Sequence, residues 1–550
     1  MSVVSKTNLN PLFLYNLSTY RGTRFADVLA APGPDYRVLG LGGDDTLTSF
    51  FNRTFLLGDK GNDSLTTELT IDDFGVEPLE VVAVQSGGWG RDSLSAYLDV
   101  TADESVSTWI VQDGGPGDDV INASSIVDSY GDEVSIINKI CGGFGNDIID
   151  VLALSDGPPG SSFLYNEVNG GHGNDTITVI ADGDFDGSDS TAINKVWGGF
   201  GDDVIDATAI VESNSPNLAA NYLFGQGGND RISAFVHTDS NGATPIGLNW
   251  INGGSGNDII HAEHSTDGEN FITDVTNEVY GGTGGDEVTA YILALAEEDA
   301  FAANKLYGGH ADDVMAAWIE AVADGTAEAT NTLSGGKGND VLTAWASALN
   351  SFGTSSTAFA LNLLEGGRDN DTLEATIAPG SNGRSELYGG NGNDSLSVVG
   401  GDGNILDGGV GDDTVTGGDY QDLLIGGKGE DALEGGLGDD EYCGGADADT
   451  FVFTAAEDQG IETLQDFNRT QDRLRFLDVD DFGMQGLVDD LDLIASFADS
   501  GPGGNVEVTL NSGTVLTFVG LGTGTVDSFA DLVDDPMAQL LGASDPLMMT

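Results

Sequence analysis

The chain has 550 residues, of which 82 are glycine, and a formal net charge of −73 at pH 7. This acidity excludes a nucleic-acid partner and an anionic membrane surface, and the glycine content fits poorly with an ordinary compact enzyme. Hydrophobic residues still make up 39% of the chain and recur at fixed offsets from the glycines, which argues against disorder. With only 18 Lys and Arg, either a bound cation offsets the carboxylates or the acidity is a surface of the halophile type.

Residues 1–36 precede the even repeats and are predicted to form an N-terminal cap or arm. They lack a basic segment followed by a sustained apolar one, so no cleavable signal peptide is predicted. No window of the chain approaches 18 apolar residues, so no membrane span is predicted. The two cysteines, Cys141 and Cys443, lie far apart and are predicted to be unpaired structural residues.

Residues 37–405 repeat one glycine-rich phrase, mostly at steps of 27 or 28 residues. Less evenly spaced copies begin at Gly40, Gly58 and Gly389. A fixed period predicts stacked repeats, in which each unit buries its apolar face on its neighbours. The evenly spaced copies begin at Gly87, Gly114, Gly142, Gly170, Gly198, Gly225, Gly253, Gly281, Gly308, Gly335 and Gly366.

The residue pattern of each long unit predicts two short strands joined by the glycine turn. An asparagine four residues before the first glycine and an apolar residue two before it share one side of a strand, which is expected to face inward. The asparagines are Asn138, Asn166, Asn194, Asn221, Asn249, Asn277, Asn304, Asn331, Asn362 and Asn404. The apolar residues are Ile140, Val168, Val196, Leu223, Ile251, Val279, Leu306, Leu333 and Leu364. The second strand has inward positions at Ile149, Ile177, Ile205, Ile232, Val288 and Leu342, followed by small residues such as Ala207, Ala234, Ala290 and Ala344.

Strand, turn, strand and polar loop together predict one coil of a parallel β-solenoid, and therefore an all-β fold. Coils stacked at roughly 4.8 Å place the asparagines above one another, where their amides can hydrogen-bond along the stack. A buried asparagine without partners would cost on the order of 1–3 kcal/mol. The asparagine ladder is therefore interpreted as structural.

The turn has the pattern G-G-x-G-(N/D)-D-x-h, as in GGFGNDII from Gly142 to Ile149. Glycine is needed where the backbone takes positive φ and where carbonyls converge without a Cβ. Carbonyls and carboxylates together describe a calcium site, because this hard cation takes six to eight oxygen ligands. The absence of paired His or Cys excludes zinc and copper.

Residues 406–450 shorten the period to nine, with first glycines at Gly408, Gly417, Gly426, Gly435 and Gly444. These repeats resemble the RTX family, whose nonapeptide G-G-x-G-x-D-x-U-x forms a parallel β-roll with Ca²⁺ between successive turns. The resemblance implies that the sixth-position Asp and the turn carbonyls bind the ion. In this block the implied metal residues are Asp413, Asp422, Asp431, Asp440 and Asp449, with Gly408, Gly411, Gly426, Gly429, Gly435 and Gly438.

The long coils carry the same implied metal ligands. They are Asp119, Asp147, Asp175, Asp203, Asp230, Asp258, Asp286, Asp313, Asp340, Asp371 and Asp394, preceded by Asp45, Asp63 and Asp92. These coils depart from the family pattern, in which a turn pairs with the one 18 residues later. We expect them still to stack turn on turn, with one row of calcium ions along a single edge. The alternative is that some turns are glycine bends without an ion, above all the degenerate copies at Gly285, Ala311, Asp369 and in GGDYQD at 417–422.

Residues 451–550 are predicted to form a β-rich C-terminal cap. The segment from Asp449 to Val479 resembles the one that follows the last repeats in RTX proteins of the serralysin and lipase kind, with D-x-F-V-F leading into D-F-x-x-x-x-D-x-L. The resemblance implies an uncleaved type I secretion signal in the final residues, with which the tail SDPLMMT is compatible. The alternative is an end cap without a role in export, because stacked repeats need caps in any case.

No catalytic constellation stands out from the repeats, since neither H-E-x-x-H nor G-x-S-x-G is present. In HAEH, His261 and His264 with Glu263 are interpreted as a surface pair, because a zinc site needs a third ligand. A column three residues before the glycines alternates in charge and is interpreted as a surface ladder; it contains Lys139, Lys195, Lys305, Glu167 and Glu278.

Aromatic residues flank the turn on both sides. They precede it at Trp197, Phe224, Tyr280, Tyr307 and Tyr388, and follow it at outward positions in Phe235, Tyr291, Trp318 and Trp345. Three interpretations stay open: a sugar-binding platform, a protein contact, or packing across coils that stiffens the sheet.

The sequence therefore predicts an exported, calcium-dependent RTX β-solenoid without a catalytic step. It is expected to act as a structural or interaction protein of the cell surface or extracellular matrix, such as a surface-layer subunit. The expected partners are calcium, the type I secretion machinery, and either further copies of the chain or cell-surface polysaccharide. The alternatives are an enzyme acting on extracellular polysaccharide and a non-catalytic carbohydrate-binding adhesin.

Overall fold

The computed structural model describes an all-β protein. The described residues are 17–73, 77–131, 133–157, 160–185, 190–213, 217–240, 244–266, 272–350, 358–454, 459–477 and 494–524. They contain strands, turns and bends but no helix, and hence no helix long and apolar enough to cross a membrane. The chain divides into two compact units: residues 1–308 with 320–327 and 350–357, and residues 309–319 with 328–349 and 358–550.

The strands recur in pairs, one pair to a coil. They are β1 (Ser18–Arg21), β2 (Val28–Ala30), β3 (Tyr36–Leu39), β4 (Thr46–Ser49), β5 (Thr54–Lys60), β6 (Ser64–Asp73), β7 (Leu79–Trp89), β8 (Ser93–Ala102), β9 (Val106–Pro116), β10 (Val120–Ser129), β11 (Glu133–Phe144), β12 (Ile148–Gly157), β13 (Ser161–His172), β14 (Thr176–Phe185), β15 (Ser190–Phe200), β16 (Val204–Ser213), β17 (Asn217–Gly227), β18 (Arg231–Ser240), β19 (Ile246–Ser255), β20 (Ile259–Thr266), β21 (Ile272–Thr283), β22 (Glu287–Ala296), β23 (Asp299–His310), β24 (Val314–Ala323), β25 (Ala327–Lys337), β26 (Val341–Asn350), β27 (Ala358–Arg368), β28 (Thr372–Ile377), β29 (Gly383–Asn391), β30 (Ser395–Val399), β31 (Asn404–Val410), β32 (Thr414–Thr416), β33 (Asp422–Lys428), β34 (Ala432–Glu434), β35 (Glu441–Ala446), β36 (Thr450–Thr454), β37 (Ile461–Leu464), β38 (Arg473–Leu477), β39 (Ile494–Asp499), β40 (Val506–Leu510) and β41 (Val515–Phe518).

In each unit the coils stack as a parallel β-solenoid with two sheets. Strand β11 pairs in parallel with β9 and β13, and β12 pairs with β10 and β14, so every coil contributes one strand to each sheet. The stacking starts at β1, which pairs with β3. The predicted parallel solenoid is confirmed, and its stacking continues through the nine-residue repeats, where β31, β33 and β35 pair in order.

The interior is built from the predicted alternation. In β15 the even positions Ala192, Asn194 and Val196 are buried, and the odd positions between them are partly exposed. Side chains of successive residues point to opposite faces of a strand, so one face of each sheet closes the core. All the inward apolar residues named above are at most 3% exposed.

The predicted asparagine ladder is confirmed in the long coils. The Asn138 amide donates to Oδ1 of Asn166 at 2.9 Å, and Asn166 donates in turn to Asn194 at 2.9 Å. The series continues to Asn304 in the first unit, and Asn331 donates to Asn362 in the second. These asparagines are fully buried, so the ladder satisfies groups that would otherwise be unpaired.

The placement of Asn404 in this ladder was wrong. Its register partner on β29 is Ser385, whose backbone amide donates to Asn404 Oδ1. The Asn404 amide instead donates to Oδ1 of Asp422 at 2.7 Å. The cause is the change in coil length, because from this point a coil closes after about 18 residues and the position reaches the opposite edge.

The C-terminal strands close the second unit. Strand β38 pairs with β36, β41 pairs with β37, and β39, β40 and β41 form an antiparallel meander. Tyr442, Phe451, Phe453 and Phe518 are fully buried here and form an aromatic core. The expected secretion signal in the final residues, and residues 1–16 of the expected N-terminal cap, lie outside the described residues.

Candidate metal centre

The sixth-position aspartates form a hydrogen-bonded column along one edge of each unit. The backbone amide of Asp119 donates to Oδ1 of Asp147 at 2.8 Å, and the amide of Asp147 donates to Oδ1 of Asp175 at 2.8 Å. In the first unit the column contains Asp27, Asp45, Asp63, Asp92, Asp119, Asp147, Asp175, Asp203, Asp230, Asp258 and Asp286. In the second it contains Asp313, Asp340, Asp371, Asp394, Asp413, Asp431, Asp449 and Asp472.

This column confirms that the long coils stack turn on turn. Its step passes from 31 and 23 residues to 19 and 18 without a break in the second unit. Asp27 extends the column of the first unit and Asp472 that of the second, and both were missed by the motif. The signal for Asp472 was its place before an inward leucine, Leu474, as in the D-x-h of every turn.

The second carboxylate oxygen of most of these aspartates is buried and has no hydrogen-bond partner. Oδ2 is in this state in Asp45, Asp63, Asp92, Asp119, Asp147, Asp175, Asp203, Asp230, Asp258, Asp340, Asp371, Asp394, Asp413 and Asp431. A buried polar atom without a partner is rare and unfavourable, and for a charged group the penalty is larger. A row of such oxygens indicates that a ligand belongs beside it.

The first glycine of each turn opens a cradle beside that oxygen. A Cβ on Gly114 would lie 2.5 Å from Asp119 Oδ2 and 2.6 Å from the carbonyl oxygen of Gly142 in the next coil. A Cβ on Gly389 would meet Asp394 Oδ2 at 2.5 Å and the Gly408 carbonyl at 2.6 Å. Carboxylate and carbonyl oxygens of successive coils thus face one space that only glycine leaves free. Oxygens of these two kinds are the ligands that Ca²⁺ takes, so the residues fit the ion.

Most turns keep one backbone geometry, including two in which the motif degenerates. Gly143 and Gly145 have φ of 117° and 126°, in the region that favours glycine. Ala311 and Asp369 replace the third turn glycine and still adopt φ of 80° and 76°. These two degenerate copies therefore retain the turn, at the expense of local strain, whereas in GGDYQD neither Gly418 nor Tyr420 has a positive φ.

The fifth position of the turn forms a second ladder whose role the motif did not reveal. The amide of Asn146 donates to Oδ1 of Asp118 at 3.1 Å, and the amide of Asn174 donates to Oδ1 of Asn146 at 2.7 Å. At the fifth position each backbone amide donates to the side chain of the preceding coil. At the sixth position each amide donates to the side chain of the following coil. The preference for Asn or Asp at this position was the available signal, because their short side chains can accept a backbone hydrogen bond.

The electrostatics of the column disfavour bare carboxylates. Burial raises the pKa of Asp147 to about 8, and the neighbouring Asp175 and Asp119 raise it too, although a hydrogen bond from the Asp119 amide lowers it. Burial raises the pKa of Asp203 to about 7 and that of Asp431 to about 6. Near neutral pH such groups gain from a cation that keeps them ionised.

The nine-residue block has a second edge, which carries the predicted ligands Asp422 and Asp440. The amide of Asp422 donates to Oδ1 of Asp440 at 2.8 Å, so the column geometry recurs. In the degenerate turn GGDYQD, however, Asp422 Oδ2 accepts from the amide of Gly418 at 2.7 Å, and its Oδ1 accepts from Asn404. The carboxylate of Asp422 is thus already satisfied within the protein.

Side-chain ligands alone do not make a metal site here. The part of the chain that the structure describes contains no group of three or more His, Cys, Asp or Glu placed to hold a metal. Any cation between two turns therefore needs backbone carbonyls in addition to the stacked carboxylates.

The interpretation of His261 and His264 as a surface pair was wrong. His261 is exposed and contacts Thr289 Oγ1 at 2.8 Å, whereas His264 is fully buried. The two residues are three apart in β20, an odd offset that places them on opposite faces of the strand. The ring of His264 fills the space beside Gly247, and burial lowers its pKa to about 3.

The aromatic residues before the turn pack on one another. The rings of Trp197 and Phe224 stack with centroids 5.6 Å apart, and those of Tyr280 and Tyr307 stack at 4.8 Å. Trp250, which was not predicted, joins the row between Phe224 and Tyr280. A sugar platform needs open ring faces, so these contacts favour packing across coils. In the charged column, Lys139 and Glu167 form an ion pair at 2.8 Å, as an alternating surface ladder requires.

The comparison with known families matches the RTX calcium-binding nonapeptide repeat model. The matched residues are 190–209, 217–239, 246–267, 327–348 and 416–451, which include long coils as well as the nine-residue block. A search among curated proteins finds no match to the chain. With the turn geometry above, these matches show that the chain carries RTX calcium-binding repeats on an all-β parallel solenoid.

Proposed function

We propose that the chain is a secreted calcium-binding protein that folds on export and serves as a structural or interaction protein of the cell surface or extracellular matrix. One observation carries this proposal. Stacked turns place buried, unpartnered Asp oxygens and glycine carbonyls of successive coils around one space, as at Gly114, Asp119 and Gly142. Calcium in these spaces would link each coil to the next.

Charge explains why folding would depend on calcium. A net charge of −73 opposes a compact state, and the buried aspartates add a desolvation penalty. Each divalent ion would offset two carboxylate charges, so its binding free energy becomes folding free energy. Extracellular calcium modules bind with Kd of about 10⁻⁴–10⁻³ M, so the chain would stay loose in a calcium-poor cytosol and fold outside it.

The proposed role in assembly rests on the regular surface of the stacked coils and not on a catalytic site. Within each unit, coils stacked in parallel offer regular faces, which suit contact with further copies of the chain or with a surface polymer. An enzyme acting on polysaccharide is not favoured, because the buried carboxylates belong to the repeats and the aromatic faces of the row from Trp197 to Tyr307 are covered by one another.

Calcium titration of chelator-treated protein, followed by circular dichroism, tests this function. The β signal should appear with calcium and disappear with chelator, and a β signal indifferent to chelator would contradict the proposal. Electron microscopy of the calcium-loaded protein then addresses its role: sheets or filaments support self-assembly. Turnover of any member of a polysaccharide panel would refute the non-catalytic role.

A further inference from the structure

The second edge of the nine-residue block contains one more turn than the repeat motif reveals. Gly460 adopts φ of 106°, and the amide of Gly438 donates to the carbonyl of Gln459 at 2.7 Å. The amide of Ile461 donates to Asp439 Oδ1 at 2.9 Å, and that of Thr463 donates to the Asp440 carbonyl at 2.8 Å. The same three bonds join turns of the aspartate column, as between the coils of Asp119 and Asp147. Residue 462 therefore stands at the sixth position, which Asp occupies in the repeats, and here it is Glu462.

Glu462 and Asp440 form a buried acidic pair. Glu462 is fully buried, and among the described residues the only hydrogen-bond donors that interact with its carboxylate are the Tyr442 hydroxyl and the Asp440 backbone amide, neither in good hydrogen-bond geometry. Asp440 is 1% exposed, and its Oδ2 has no hydrogen-bond partner. No Lys, Arg or His of the described residues forms an ion pair with either group. Buried carboxylates in this state require a cation or a proton.

The surroundings favour a hard cation. Gly435 lacks the Cβ that would meet both Asp440 Oδ2 and the Tyr442 hydroxyl oxygen, so an open space is kept between these atoms. The amide of Gly435 donates to the Tyr442 hydroxyl at 2.9 Å, which fixes that oxygen at the edge of the space. Oxygen is the donor atom of all three side chains, as calcium prefers, and backbone carbonyls or water would complete its six to eight ligands.

We propose that Asp440 and Glu462 bind a divalent cation of the calcium class at the second edge, between the last nine-residue repeat and the cap. This site lies outside the repeat motif, because Glu462 replaces Asp and the preceding glycine pair is absent. It rests on the proposed calcium-binding function and extends it to the cap.

The position of the site gives it a structural consequence. Glu462 lies in β37, which pairs with β35 of the repeats on one side and with β41 of the cap on the other. A cation held by Asp440 and Glu462 would therefore tie the cap to the stacked coils. Calcium would then order the C-terminal strands as well as the repeats.

Terbium, which replaces calcium and is sensitised by a nearby tyrosine, tests the site in the full chain. Terbium emission on tyrosine excitation should fall in Glu462→Gln, and equilibrium dialysis should find about one calcium ion fewer per chain. Tyr442→Phe should lower the emission and raise the calcium midpoint, because it removes the sensitising phenol together with one oxygen of the site. The matched control is Glu507→Gln, the same substitution at an exposed residue of β40, which should change none of these quantities. An unchanged calcium count in Glu462→Gln would overturn the proposal.

Two further variants keep the result interpretable. Glu462→Asp retains a carboxylate and should restore binding with a higher calcium midpoint, so failure of Glu462→Gln to fold does not end the test. If Asp440 and Glu462 share a proton instead, Glu462→Gln should keep the full calcium count and melt at a higher temperature than the wild type in calcium. Asp431→Asn should lose calcium at the repeat edge. Loss there without loss in Glu462→Gln refutes only the Glu462 site, whereas a wild type that binds no calcium refutes the proposed function.

Discussion

The backbone amide of Asp147 donates a 2.8 Å hydrogen bond to Oδ1 of Asp175 in the next coil, while Oδ2 of Asp175 stays buried without a partner. Each aspartate thus uses one oxygen to fix the register of two coils and presents the other to the space beside a glycine. This division of roles places structural order and cation binding on the same side chain.

The metal-free protein should be more stable in mild acid than at neutral pH. Folding raises the pKa of Asp147 to about 8 and that of Asp203 to about 7, from an ordinary value of 3.8. A raised pKa means that the folded state binds protons more tightly, so this stability is fully present below 3.8 and is lost as the pH rises through about 7 to 8. In chelator, the fold that is lost at neutral pH should therefore return in mild acid, with a melting temperature that rises as the pH falls towards about 5.

Saturating calcium should reverse this dependence, because protons then compete with the ion for the same carboxylates. Differential scanning calorimetry in chelator and in calcium measures both slopes. High salt serves as the control, since it screens the general repulsion of surface carboxylates but hardly affects buried ones. A metal-free protein that melts at a lower temperature in mild acid would contradict the raised pKa values of the buried column aspartates.

Gly389→Ala should weaken calcium binding. The added Cβ would fill the space between Asp394 Oδ2 and the Gly408 carbonyl, at 2.5 and 2.6 Å, so these oxygens must move apart. We expect fewer calcium ions per chain by dialysis and a loss of about 1–3 kcal/mol in unfolding free energy, typical of overpacking. Gly33→Ala is the matched control, because its Cβ would meet no atom closer than 4.0 Å. Equal calcium counts in the two variants would show that the cradle holds no ion.

Asn194→Ala should destabilise the first unit without affecting calcium. Asn194 accepts from Asn166 and donates to Asn221, both at 2.9 Å, so its removal leaves buried amide groups of two neighbours less satisfied. The expected loss is about 1–3 kcal/mol in urea unfolding of the calcium-loaded protein. Asn169→Ala, at an exposed position of β13, should be nearly neutral. A shift in calcium midpoint beyond that explained by stability would point to a direct role in binding.

How much of this architecture the sequence predicts depends on whether the period holds. The 28-residue step and the alternation around Asn166 and Val168 predict the coils, the ladder and the turn column. The predictions fail where the repeat length changes, or where two residues of one strand are separated by an odd number of positions. Asn404 shifts to the opposite edge because the coil shortens, and His264 turns inward because an odd offset in a strand reverses the face. Glu462 escaped notice because its turn lacks the glycine pair, although the backbone register is preserved.

Gly247→Ala should be strongly destabilising, although the residue lies outside the turns. An added Cβ would overlap the ring of His264, which is buried and cannot leave without exposing its space. We expect a loss of about 1–3 kcal/mol or more in thermal or urea unfolding. Adding His264→Ala to Gly247→Ala should recover part of that loss, because the new methyl group then occupies space that the ring vacates. A double variant less stable than both single variants would contradict this packing relationship.

The location of calcium in crystals of the calcium-loaded protein tests the central claim most directly. Anomalous diffraction should show peaks along the column edge, each between the Oδ2 of an aspartate such as Asp119 and the first-glycine carbonyl of the next coil, Gly142. Ordered, stacked turns without anomalous peaks at these positions, from protein crystallised in saturating calcium, would contradict the account.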